Sequence, residues 1–263
     1  MIIPSRRSSD NDIYLKEDRY NEPKEIFKFL VDIINGTSIN EPLPKLLDVG
    51  CATGELIYFL KKQCPHFHYF GIDVSSEMLA YAMDNIKDVQ LCEHSIMEAP
   101  LWENELFDIV VCSGVIGIFD EIENSLGNLI QAVKPNGHLL VVEQFNDDPI
   151  DVIMRYRRFS EKDDFWEAGW NIFSKKTIES IAHKHNKKVK WHEFNLPFKF
   201  RPLKSSISIS HSRGEFLIDF FLPSLTSINL HNLNSSMGFN LQLTLITIFI
   251  NFGLFWSGQD GVS

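Results

Sequence analysis

Asp48, Gly50, Cys51, Ala52 and Gly54 crowd into one short stretch between the apolar pair Leu46-Leu47 and the run Glu55-Leu56-Ile57-Tyr58-Phe59-Leu60. Two glycines at the end of an apolar run permit a tight turn whose backbone can approach a ligand. A helix opening just beyond it aims its first amides at that turn. A second carboxylate, Asp73, ends the apolar run Tyr69-Phe70-Gly71-Ile72. A carboxylate at the end of a strand accepts two hydrogen bonds from a ribose diol. Together the two segments predict a site for an adenosine-containing cofactor.

The spacing argues against a dinucleotide. That fingerprint needs a third glycine three residues after its second, and it seats a pyrophosphate on the helix N-terminus. With its first glycine on Gly50, Ala52 takes the second place and Glu55 the third, so a carboxylate would oppose the pyrophosphate. Asp48 adds another negative charge at the strand end. A cationic ligand group suits the site better.

On these residues the chain resembles the class I S-adenosylmethionine-dependent methyltransferases, whose glycine motif reads acid-x-Gly-x-Gly-x-Gly. Asp48, Gly50 and Gly54 match it, and Ala52 stands where the family has its middle glycine. Phe107-Asp108-Ile109-Val110-Val111-Cys112-Ser113 resembles the family's fourth strand, and Val133 to Val142 its turn into the fifth. The resemblance covers residues 45 to 145 well and 170 to 200 loosely. It implies a donor site built from Asp48, Gly50, Cys51, Ala52, Gly54, Asp73, Val74, Met78, Ser95, Ile96 and Ser113, with Asp73 on the ribose and Ser95 near the adenine. Methyl transfer to a small-molecule acceptor is the activity it implies. An aminopropyltransferase-like enzyme and a noncatalytic scaffold of the same fold are the alternatives.

The elements that must position these residues read as α/β. Apolar runs at 45–50, 68–74, 107–112 and 138–143 are too continuous for a sheet with one wet face, and predict parallel strands covered on both sides. Between them lie helix-period segments at 54–62, 76–86 and 121–133, the last with Ile122, Leu126, Leu129, Ile130 and Val133 on one face. Strand and helix in alternation predict a doubly wound, mostly parallel, Rossmann-like sheet, with ligands beyond the strands' carboxyl ends. A helix over 23–34, with Pro23 in its first turn and Ile26, Phe29, Leu30, Ile33 and Ile34 on one stripe, belongs to an N-terminal flap spanning 1–40. A methyltransferase domain over 41–200 and a C-terminal extension over 201–263 complete the division. Residues 173–184 predict a capped helix and 189–196 a sixth strand.

The acceptor side is read from what departs from the minimal fold. Residues 147–171 form a lid-like insertion with Arg155, Trp166 and Trp170 as substrate candidates, and Tyr14 joins them from the flap. Aromatic rings exclude water while an arginine orients an acidic acceptor. Glu143, just past the fifth strand, and Tyr20 are the candidates for a general base.

Residues 1–150 carry 11 Lys and Arg against 25 Asp and Glu, a net of −14, while the remainder carries 14 against 10. So acidic a half repels a phosphate backbone, which disfavours nucleic acid as substrate. Four cysteines without paired spacing predict reduced thiols, with Cys92 and Cys112 as small buried strand residues, and no metal constellation is visible. Arg6 and Arg7 lead into polar sequence and not an apolar core, so a cytoplasmic location is expected. From 205 onward the only charges are Arg213, Glu215, Asp219 and Asp260. Polar residues within 239–256 make a membrane span a poor reading, and a dimer contact through this region is an open alternative.

Overall fold

The computed structural model describes residues 14–16, 19–39, 41–103, 105–156 and 166–194, together with the backbone of 209–212 and 215–218. The chain divides into a unit over residues 1–192 and another over 193–263.

Five strands form the sheet of the first unit: β1 (Lys45–Val49), β2 (His68–Asp73), β3 (Val89–Glu93), β4 (Phe107–Ser113) and β5 (Val133–Val142). Their order is β3-β2-β1-β4-β5, and every pair is parallel. The doubly wound sheet is therefore as the apolar runs require. Leu46, Leu47, Ile72, Ile109 and Val110 are fully buried, and each such side chain contributes about 1.5–3 kcal/mol by leaving water.

The helices are α1 (Glu25–Asn35), α2 (Glu55–Gln63), α3 (Ser76–Asn85), α4 (Glu123–Gln131) and α5 (Lys175–Lys184). Ser75 caps α3 and Ser174 caps α5, each accepting from a backbone amide within the first turn. Helix α1 begins later than the proline suggested: Lys24 is its N-cap, so Pro23 lies outside the first turn. It buries Ile26, Phe27, Leu30 and Ile34, with Phe27 tilted on Phe59 of α2 at 6.1 Å.

Two further expectations are corrected. Residues 189–194 form no strand, although Val189 and Trp191 pack partly buried against the core; apolar alternation there reflects packing, not pairing. Val133 belongs to β5, which starts early by pairing with Phe107 across an irregularity in the register. Short ladders follow: β6 (Phe145–Asn146) with β9 (Phe173–Ser174), and β7 (Arg155–Tyr156) with β8 (Glu167–Ala168). In the second unit β10 (Ile209–Ser212) and β11 (Glu215–Ile218) form an antiparallel pair. The remainder of the apolar tail, and any dimer contact through it, lies outside the described residues.

The order in which strands are added reverses between β1 and β4, whose parallel ladder pairs Val49 with Cys112. Beyond those carboxyl ends lies the crevice in which an open α/β sheet binds ligands.

Candidate functional site

At the end of β1 the backbone bends three times through the left-handed region, at Gly50 (φ 74°), Ala52 (φ 48°) and Gly54 (φ 79°). The amides of Gly50 and Cys51 both donate to Ile72 O on β2, at 2.8 and 3.0 Å, and Gly54 N closes the bend onto Cys51 O at 2.8 Å. A Cβ on Gly50 would lie 2.4 Å from Val115 Cγ2, and one on Gly54 would lie 2.5 Å from Ile86 Cδ1. Ala52 thus occupies a conformation that costs an L-residue about 1–2 kcal/mol, a physical reason for the middle glycine that the resembling family's motif has at this place. Gly54 is the N-cap of α2 and supplies no side chain.

Asp73 closes the other side. Its Oδ2 accepts from Ala52 N at 2.9 Å and its Oδ1 from Ser75 N at 2.9 Å, so the bend and the carboxylate share one small site. Beside it Val74 stands 52% exposed at the strand end, an open apolar surface suited to the face of a base, while Met78 on α3 is fully buried. Ser95 accepts from Met97 N at 3.2 Å, so its hydroxyl holds its own turn. The carbonyls of Ile96 and Met97 in turn accept from Asn128 Nδ2 and Asn124 Nδ2 of α4. Ser113 ends β4 half-buried, before Gly114 donates to Val142 O at 2.9 Å.

Electrostatics define the ligand's sign. Asp48 is 3% exposed, and no hydrogen bond reaches its carboxylate among the described residues. Burial, then Asp73 and then Glu55 push its carboxyl up to about 7, with Lys24 acting the other way. Glu55 is itself buried, with Lys24 Nζ 3.7 Å from its Oε2. Three carboxylates around a bend served by that lysine fit a cation and oppose a pyrophosphate. The residues present therefore suit a sulfonium nucleoside.

Tyr20, ahead of α1, lies against this bend. Tyr20 donates its hydroxyl to Thr53 O, and its ring meets Tyr58 edge-on at 4.5 Å. Burial, followed by Tyr81 and Glu55, raises the Tyr20 phenol well above its ordinary value. Tyr14 lies under the Lys24 ammonium, 5.3 Å from the ring centroid. Of the residues expected to meet an acceptor, Arg155 is ion-paired with Asp120, Trp170 is half-buried, and Trp166 is 62% exposed. Glu143 Oε1 accepts from Gly117 N at 3.2 Å. Burial raises its carboxyl to about 7 against the lowering effect of the amides of Gly117, Val115 and Ile116. All four cysteines are unpaired, and Cys92 is exposed, unlike the buried place expected for it. Among the described residues no group of three or more metal-ligating side chains gathers.

Sequence reasoning passed over Lys24, Thr53, Val115 and Asn171. Asn171 is 3% exposed: its amide nitrogen donates to Phe119 O at 2.7 Å, and its Oδ1 accepts from Met154 N at 2.8 Å. No local motif announces an asparagine that joins distant loops.

A methyltransferase-domain family model matches residues 15–190, which is more than half the chain. The chain belongs to the class I S-adenosylmethionine-dependent methyltransferases. S-adenosylmethionine is the cofactor that this family uses and that the acidic bend fits. Among curated relatives, the malonyl-(acyl-carrier protein) O-methyltransferase of Acetivibrio thermocellus is 29% identical over 137 residues, 51% of this chain and 45% of that protein. The ubiquinone biosynthesis O-methyltransferase of Rickettsia canadensis is 32% identical over 101 residues, 37% of this chain and 41% of that protein. The chain thus spans less than half the length of these methyltransferases. A solved structure of the amino pentose methyltransferase CalS10 from Micromonospora echinaspora is 14% identical at a TM-score of 0.47, covering 70% of this chain and 89% of that one.

Proposed function

We propose that the protein transfers a methyl group from S-adenosylmethionine to a small-molecule acceptor. The observation that carries this reading is the bond between Ala52 N and the Asp73 carboxylate, which joins the glycine bend and the ribose-type acid into one donor cradle. Asp48 and Glu55 give that cradle the charge a sulfonium nucleoside needs, and Val74 offers its base an apolar face. When bound, the donor supplies a methyl carbon whose bond to sulfur breaks with both electrons left on sulfur as an acceptor lone pair takes its place. What the chain must add is alignment and exclusion of water.

Tyr14, Trp170 and Trp166, with the Arg155–Asp120 pair, are proposed to border the acceptor side, Tyr14 from the flap, Asp120 from the loop between β4 and α4, and the others from the segment after β6. The net charge of −14 over residues 1–150 favours a small acceptor over a nucleic acid. Among the described residues no helix is long and apolar enough to cross a membrane. Incubation with methyl-labelled donor and a metabolite extract should place label in the fraction that passes an ultrafilter. Label confined to protein or nucleic acid would contradict the small-molecule reading.

A further inference from the structure

Glu143 follows Val142 at the carboxyl end of β5, and Val142 pairs with Ser113 at the carboxyl end of β4. The residue therefore stands on the rim of the crevice that holds the donor cradle. Its carboxylate is aimed by the loop after β4: Gly117 N donates to it at 3.2 Å, and a Cβ added to Gly117 would lie 3.4 Å from Oε2. That loop is fixed in turn by Asn171, whose own amide donates to Gly117 O at 2.6 Å and whose side chain holds Phe119 O. One buried asparagine thus ties the segment bearing Trp166 and Trp170 to the loop that orients Glu143.

The other titratable groups near the crevice serve less well. The Tyr20 hydroxyl is committed to Thr53 O. The Cys51 and Cys112 thiols are held protonated, first by burial and then by neighbouring carboxylates, Asp48 among them in both cases. Asp48 is sealed beside Asp73 on the donor side. Facing Glu143 are the amides of 115–117 from the loop and, on β4, the Cys112 thiol that it shares with Asp48.

Resting on the methyl-transfer reading above, we infer that Glu143 takes up the acceptor's proton, and that the acceptor is a protic nucleophile, a hydroxyl or an amine that sheds a proton as it is methylated. The acceptor's heteroatom keeps the electron pair freed from its hydrogen. The proton goes to a Glu143 oxygen and from there to water, which restores the carboxylate. Burial that raises the carboxyl to about 7 matches this base to neutral pH. A thioether or a tertiary amine would need no such group.

Two measurements test this on the full chain. Carbon-13 NMR of protein labelled at the glutamate carboxyl carbons should show one resonance titrating near neutrality that is absent from Glu143→Gln. An ordinary carboxylate midpoint overturns the inference, whether or not an acceptor is in hand. With methyl-labelled donor, a catechol and a primary amine should accept label where a thioether and a tertiary amine do not. Glu143→Gln should lower kcat on the protic probe by about 10²-fold and lose the limb of the pH profile near 7, while Glu143→Asp restores part of both. Transfer to aprotic probes only, or a Glu143→Gln chain that works at the unaltered rate, also overturns it. Calorimetric donor binding should be equal in the native chain and in Glu143→Gln. Absence of binding in both would instead defeat the methyl-transfer reading.

Discussion

At the scale of the residue, Asp48 carries the sharpest consequence. Its carboxyl ionises near 7 in the folded chain and at about 3.9 when unfolded, so the folded state binds more protons between those values. Stability therefore falls as pH rises from about 4 to about 7, and Asp48→Asn should flatten that slope in thermal unfolding followed across the interval. Glu143 titrates over a similar range, so part of the slope should survive. A cationic donor favours the ionised form, and its affinity should climb through the same window in the native chain but not in Asp48→Asn. A donor Kd that ignores pH in both would show that Asp48 does not face the donor. The motif acid and the ribose-type acid were legible in sequence because their places follow from glycine spacing and strand ends. The left-handed φ of Ala52 was not, since an alanine gives no sign of the backbone it is made to adopt.

The β1–α2 turn is the element on which the site depends. Gly54→Ala would put a methyl 2.5 Å from Ile86 Cδ1 and 3.2 Å from Ala82 Cβ, in a left-handed residue. Overpacking costs about 1–3 kcal/mol, to which the backbone strain adds, so a clear fall in Tm is expected and an unchanged Tm would show that the turn is looser than its geometry. Ala52→Gly should be neutral or mildly stabilising, because relief of the strain offsets the greater freedom glycine gives the unfolded chain. Strands and helices were readable where a buried parallel sheet demands continuous apolar runs. Their ends were less so: Pro23 sits outside α1, and the alternation at 189–194 serves packing without a ladder. Asn171 escaped notice for a related reason, since its partners, Gly117, Phe119 and Met154, lie far away in sequence.

At the scale of the whole molecule, every proposed donor ligand lies in the unit over residues 1–192. A chain of residues 1–194 should therefore bind S-adenosylmethionine as the full chain does, and loss of binding on truncation would assign part of the site to the remainder. The sequence pattern announced one doubly wound sheet with ligands beyond its carboxyl ends, because strands and helices alternate, but the strand order that puts the switch between β1 and β4 came from the structure. It said little about the acceptor side, whose residues belong to an insertion with no periodic pattern. Calorimetric titration of the full chain and of Asp73→Ala with S-adenosylmethionine tests the shared cradle most directly. The native chain should bind one donor, and the variant should bind it more weakly by about 1–3 kcal/mol, the scale for losing a hydrogen bond to a charged group. No binding by the native chain, or an affinity unchanged by the substitution, would contradict a donor held jointly by the bend and Asp73.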